Sequence, residues 1–186
     1  MKIFSGLEFV GLAEVLKSIG VVVMSTDTVF GLACSARSPE AVSRMYAVKQ
    51  RSGKPGTIIA ASFRQLVDLG FDSVVTSKAN EMFWPAPVSV VLDAPDELEY
   101  LHMGKKSLAV RVPEPKWLRD LLVVTGPLAT TSANLPGEPT AKTIDEAKEI
   151  FGDKVDFYFD NGTSNEAKPS KIFKISVDGT IETIRS

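Results

Sequence analysis

One cysteine and one histidine among 186 residues leave little material for several common chemistries. Cys34 cannot form an internal disulfide, which agrees with a reducing compartment and predicts a cytoplasmic protein. Zinc sites built from clustered His and Cys are excluded on supply alone. A Ser-His-Asp triad or a Cys-His pair would have to use His102, which sits in the polar stretch 100–106 and reads as a surface loop residue. No apolar run approaches the ~20 residues of a membrane span, and Met1-Lys2-Ile3-Phe4-Ser5-Gly6 lacks a signal-peptide core. The usual phosphate-binding fingerprints are missing too. No Gly-x-Gly-x-x-Gly follows a strand, and Gly104-Lys105-Lys106-Ser107 lacks Walker A spacing. A formal net charge of −2 gives no global basic field for tight nucleic-acid binding.

What is present is an ordinary globular composition of a length that buries a core as one domain, 1–186. An enzyme of this composition would work through Lys, Arg, Ser, Thr, Asp and backbone amides, groups that suit anionic substrates. Apolar spacing predicts a first helix over 7–19, closed by Gly20, and a buried strand at 21–24. Ser38 caps a helix that opens with Pro39 and turns Ala41, Met45 and Val48 to the core. Strands are expected at 57–61, 88–92, 108–112, 128–131 and 157–159. Ser62 with Gln65, and Thr143 with Glu146, read as capping boxes opening helices that stop near Gly70 and Gly152. Asp178-Gly179 reads as the turn of a terminal hairpin joining 172–177 to 180–184. Alternating strands and helices followed by an antiparallel end predict an α/β (α+β) domain with a mixed sheet.

Four polar segments cluster at predicted element ends, where ligands of open α/β sheets usually bind. Ser25-Thr26-Asp27-Thr28 could take an amino acid or a metal-nucleotide, or simply form a polar turn. Lys49, Arg51 and Lys54 could grip a polyphosphate, or complement a helix dipole. Arg111 sits in the otherwise apolar Ser107-Leu108-Ala109-Val110-Arg111-Val112-Pro113 and needs an anionic partner, protein or ligand. Thr130-Thr131-Ser132-Ala133-Asn134, continuing to Thr140, makes a polar rim or a capping turn. Trp84-Pro85-Ala86-Pro87 reads as a rigid corner.

Taken in order, these segments resemble the threonylcarbamoyl-AMP synthase (TsaC/YrdC-like) family. Further carriers are Val29-Phe30-Gly31-Leu32 and Lys168-Pro169-Ser170, and the likeness runs from about Val21 to Arg185. The resemblance implies a twisted sheet with a large concave cleft. It also implies a reaction in which L-threonine, bicarbonate and ATP give threonylcarbamoyl-adenylate and pyrophosphate, with Mg2+ accompanying ATP. The product would pass to separate tRNA threonylcarbamoyl transfer proteins acting at adenosine-37, and there is room for weak tRNA binding. By motif position, Thr28, Arg111, Thr130 and Ser170 would hold threonine. Arg51, Lys54, Ser107, Ser132, Asn134, Thr140 and Arg185 would surround ATP. Lys49 and Arg51 would be catalytic, Lys49 facing the carbamate or α-phosphate.

The chain departs from the family pattern at Ala86, usually glycine, at Pro136, usually serine, and at Ser52, commonly proline. The loop to Lys54 is one residue short. The added methyl of Ala86 is expected to narrow the cleft.

Overall fold

The computed structural model describes residues 6–51, 53–161, 169–176 and 180–186. Met1 to Ser5, Ser52, Lys168 and the Asp178-Gly179 turn lie outside them. Helix α1 (Gly6–Lys17) leads into β1 (Val22–Met24) and β2 (Gly31–Ser35), followed by α2 (Pro39–Val48) and β3 (Thr57–Ile59). Then come α3 (Phe63–Val67), α4 (Ser73–Phe83), β4 (Val88–Asp93), α5 (Glu99–His102) and β5 (Ser107–Arg111). The chain continues through α6 (Lys116–Thr125), β6 (Leu128–Ser132), α7 (Ile144–Phe151), β7 (Phe157–Phe159), β8 (Lys171–Ile175) and β9 (Ile181–Arg185). The strands form one sheet in the order β7-β1-β2-β6-β3-β5-β4-β8-β9. It is mixed, since β1–β7, β3–β5 and β4–β8 are parallel and the other pairs antiparallel. The expected α/β architecture is therefore present, and β8 and β9 form the antiparallel terminal pair.

Alternation along the strands builds a core on each face. Val23, Leu32, Ile58 and Ala129 join one cluster with Met45 of α2 and Phe151 of α7. Met24, Ala33, Ile59 and Leu128 point the other way, against Leu12 and Leu16 of α1 and Leu118, Leu121 and Leu122 of α6. The Ser38 hydroxyl caps α2 by accepting from the Ala41 N–H at 3.1 Å, with Pro39 first in the helix as predicted. Arg44 of α2 makes two contacts with Asp156, whose carboxylate also accepts from the Val21 N–H, so the sheet end near β7 is tied to the helix layer.

Several expectations need correction. Ser62 makes no side-chain cap. Gln65 instead accepts from the Ala61 N–H at 2.9 Å and donates to the Leu122 carbonyl at 2.8 Å, because its amide can bridge to α6. At α7 Thr143 does accept from the Glu146 N–H, but the Glu146 carboxylate takes the Lys142 N–H rather than that of Thr143. His102 is not a surface loop residue. It is 2% exposed at the end of α5, where Nδ1 accepts from the Lys106 N–H. Among the described residues, no helix is long and apolar enough to cross a membrane.

Candidate active site

The sheet face shared with α1 and α6 is covered by those helices only in part. Cross-strand register puts Gly31 beside Ser132, and Thr57 beside both Thr130 and Ala109; Arg111 stands next to Ile59. These short side chains leave a hollow where the neighbouring Met24, Ile59 and Leu128 fill the space. The result is a cavity of about 300 Å³. Its walls also take Thr26 and Thr28 after β1, Arg51 after α2, Thr131, Thr140, Ser170 before β8, and Arg185 of β9. Two glycines let the backbones meet there. A Cβ on Gly31 would stand 2.9 Å from the Thr131 carbonyl oxygen, and one on Gly56 only 2.5 Å from that of Thr130.

The lining carries three arginines, many hydroxyls and no carboxylate among the described residues. Such a cavity selects anions. Arg51 donates to the Thr131 hydroxyl at 2.5 Å, to the Pro55 carbonyl at 2.6 Å and to the Lys54 carbonyl. Arg185 donates to the Ser170 carbonyl at 2.9 and 2.7 Å and to its hydroxyl at 3.3 Å. Ser170 is in turn 3.0 Å from the buried Ser89 hydroxyl. Burial lowers the pKa of both Arg51 and Arg111, so each guanidinium gains from an incoming negative charge.

Hydroxyl polarity is fixed at one wall. Thr26 Oγ1 gives its single proton to the Val29 carbonyl at 2.9 Å and accepts the Thr28 N–H at 3.2 Å. The 3.1 Å contact between the two hydroxyls therefore needs Thr28 as donor. Thr28 is left with lone pairs only, an acceptor for an ammonium or hydroxyl group.

Arg111 has an anionic partner inside the protein, Asp27, at 3.0 Å. Both side chains are buried, and Arg111 still reaches the cavity lining. The family resemblance aims Arg111 at a substrate carboxylate, the residues alone leave its partner open between protein and ligand, and Asp27 enters only as part of the 25–28 segment. The available signal was a lone acid between two threonines of one motif and a lone cation in an apolar strand.

Other assigned residues stand elsewhere. Lys49 does not line the cavity. It ends α2, buried, and donates to the Ser132 carbonyl at 2.7 Å, the Asn134 carbonyl at 2.6 Å and Asn134 Oδ1 at 2.5 Å, with the Ser132 hydroxyl at 3.3 Å. Asn134 stands behind Ser132, accepting its hydroxyl at 2.6 Å and donating to the Leu135 and Glu138 carbonyls. Lys54 is exposed and outside the lining. Ser107 shares the face of Ala109 and Arg111 but lies one step beyond the cavity. Pro136 and Ala86 also lie outside the lining, so nothing ties the methyl of Ala86 to this cavity. Its N–H serves the Val112 carbonyl at 3.2 Å. Trp84 is buried, with Nε1 donating to the Val88 carbonyl at 2.8 Å, as a structural corner requires.

A mixed sheet with an arginine- and threonine-lined hollow defines a class, and sequence comparison places the chain in it. The profile of the Sua5/YciO/YrdC family, described as "Telomere recombination", matches residues 14–186, and the chain belongs to this family. It is 35% identical over 159 residues to a threonylcarbamoyl-AMP synthase of Idiomarina loihiensis, covering 82% of this chain and 86% of that protein. A threonylcarbamoyl-AMP synthase of Klebsiella pneumoniae is 38% identical over 164 residues, covering 85% and 86%. Among solved structures, P. abyssi Sua5 complexed with L-threonine superposes with a TM-score of 0.83 at 26% identity. That match covers 94% of this chain but 52% of the Sua5 chain, so this chain spans about half its length.

Proposed function

We propose that this chain is an L-threonylcarbamoyladenylate synthase. The observation that carries the reading is the cavity, free of acids among the described residues, in which Arg51, Arg111 and Arg185 converge with threonine and serine hydroxyls. Threonine and ATP both bring negative charge and hydrogen-bonding groups suited to such a lining. The cited synthases and the threonine complex of Sua5 give the chemistry a precedent in the family.

In this reading the threonine carboxylate meets Arg111, and the lone pairs of Thr28 accept from the amino group or side-chain hydroxyl. Thr130 presents its methyl side, since its hydroxyl is committed to the Thr57 carbonyl at 3.0 Å. The threonine nitrogen adds bicarbonate with loss of water to give the carbamate. A carbamate oxygen then attacks the α-phosphorus of ATP, a P–O bond to the β-phosphate breaks, and pyrophosphate leaves. Arg51 and Arg185 flank the space left for the phosphates and offset charge on the departing oxygens. A magnesium ion accompanying ATP would supply charge to offset that of the phosphates. With no carboxylate in the lining among the described residues, ATP and water rather than side chains would hold it, which suits this ion. Lys49 keeps Ser132 and Asn134 in place at the rim, and the adenylate passes on to tRNA threonylcarbamoyl transfer proteins.

The deciding experiment measures pyrophosphate release from ATP with and without threonine and bicarbonate, with mass spectrometry of the adenylate formed from labelled bicarbonate. Release should require both co-substrates, and the label should appear in the adenylate. Release indifferent to threonine would remove the synthase reading and leave a nucleotide- or RNA-binding relative of the same fold.

A further inference from the structure

Resting on that reading, we propose that Asp27 is a positioning residue for amino-acid recognition, setting the Arg111 guanidinium so that its remaining N–H groups meet the substrate carboxylate. Thr26 and Thr28 turn into the cavity, and Asp27 between them does not line it. The residue sits at a bend whose backbone reaches solvent, yet its side chain is only 3% exposed. That carboxylate is driven inward at a desolvation cost an ordinary turn residue would avoid.

Arg111 meets it from the last position of β5. Its backbone is held by the parallel pairing with Ile59 and by its carbonyl accepting from the Ala60 N–H at 3.0 Å. Its side chain is 5% exposed, and Nη2 lies 3.0 Å from Asp27 Oδ1. The pair is close but outside hydrogen-bond alignment, and Arg111 Nε has no hydrogen-bond partner among the described residues. Asp27 therefore supplies a counter-charge beside the guanidinium without binding it in aligned hydrogen bonds, while Arg111 itself still reaches the cavity lining.

Two pressures make such an anchor necessary. Burial disfavours the guanidinium, and Arg185 adds like charge to the field at Arg111. Without Asp27, no acidic side chain among the described residues would pair with this buried cation, and an arginine side chain has many alternative rotamers to escape into. A fixed guanidinium accepts a substrate carboxylate without reorganising first, which is how a supporting residue acts on a site it does not touch.

The test compares wild type, D27N and D27E in steady-state assays of the full chain, with melting temperatures to establish folding. It adds direct binding of L-threonine and of L-threonine methyl ester, which lacks the carboxylate charge. Losing one charge-assisted anchor should raise the threonine KM of D27N about 10–100-fold, with the ATP KM moving about twofold or less. The preference for threonine over its ester should fall by a similar factor, a ratio that mere loosening of the fold would not change. D27E keeps the charge but displaces it by a methylene, and should lose several-fold of the same preference. If D27N does not fold, D27E carries the test. A folded variant that keeps the wild-type preference, or loses threonine and ester binding equally, overturns the role of Asp27 alone. Wild-type protein that ignores threonine altogether overturns both this role and the synthase reading.

Discussion

Lys49 holds its charge where water barely reaches, at 4% exposure. Burial, aided by the nearby Arg51 charge, lowers its pKa to about 8. The four oxygens around Nζ all accept, so the full set of contacts needs the ammonium form. As pH rises through that value the lysine loses a proton, one donor disappears, and the Ser132–Asn134 rim loosens. The expected outcome is a fall in kcat/KM with a midpoint near pH 8. A methionine at this position should leave a low activity with no such limb. A wild-type profile that stays level well above that value would show that the rim does not depend on this proton. The sequence exposed the charge of Lys49 but not its direction. A cation at a helix end can face phosphate or protein carbonyls, and only the path of residues 132–134 decides.

At the level of elements, strands tolerate little extra bulk where β3 and β6 run together under the cavity. Gly56 precedes β3, and the tight approach of the Thr130 carbonyl leaves no space for a side chain. Gly56→Ala must push two backbones apart. Overpacking of this kind costs about 1–3 kcal/mol, and each kcal/mol lowers Tm by about 2–4 °C in a chain of this size. A thermal melt of the variant checks it, and an unchanged Tm would mean the strands part freely. Which elements the sequence revealed follows the same packing logic. Helix α2 was plain because Ser38, Pro39 and the Ala41–Met45 spacing all agree with it. Strand β2 was hidden, since Gly31, Ala33, Cys34 and Ser35 are small and carry little strand preference; its place comes from pairing with β1 and β6 on either side. Helix α4 buries only Thr76 and Ala79, too faint a stripe to stand out. Helix α6 is not among the elements expected from the sequence, although Leu118, Leu121 and Leu122 recur at helical spacing.

Across the whole molecule, the cavity draws its walls from β2, β3, β5, β6 and β8, from the bend after β1, and from Arg185 in β9. Residues from 26 to 185 must come together before any of it exists. The motifs marked most of these positions because hydroxyls and arginines beside apolar strands are conspicuous in a sequence. They could not show that Arg111 is already engaged by Asp27, or that Lys49 and Lys54 stand outside the lining, because both depend on where side chains point. One of the interior strands of this assembly is β2, and in it lies Cys34, fully buried with Sγ 3.8 Å from Met45 Sδ of α2. Burial pushes its thiol pKa up to about 12, and it is the sole cysteine in the chain. An alkylating reagent can reach that sulfur only when α2 lifts from the sheet, so the protein carries its own clock for opening. Native protein should label slowly, threonine and ATP together should slow it further, and denaturant should start it at once. Labelling at the pace of a free thiol would mean that α2 leaves the sheet continually.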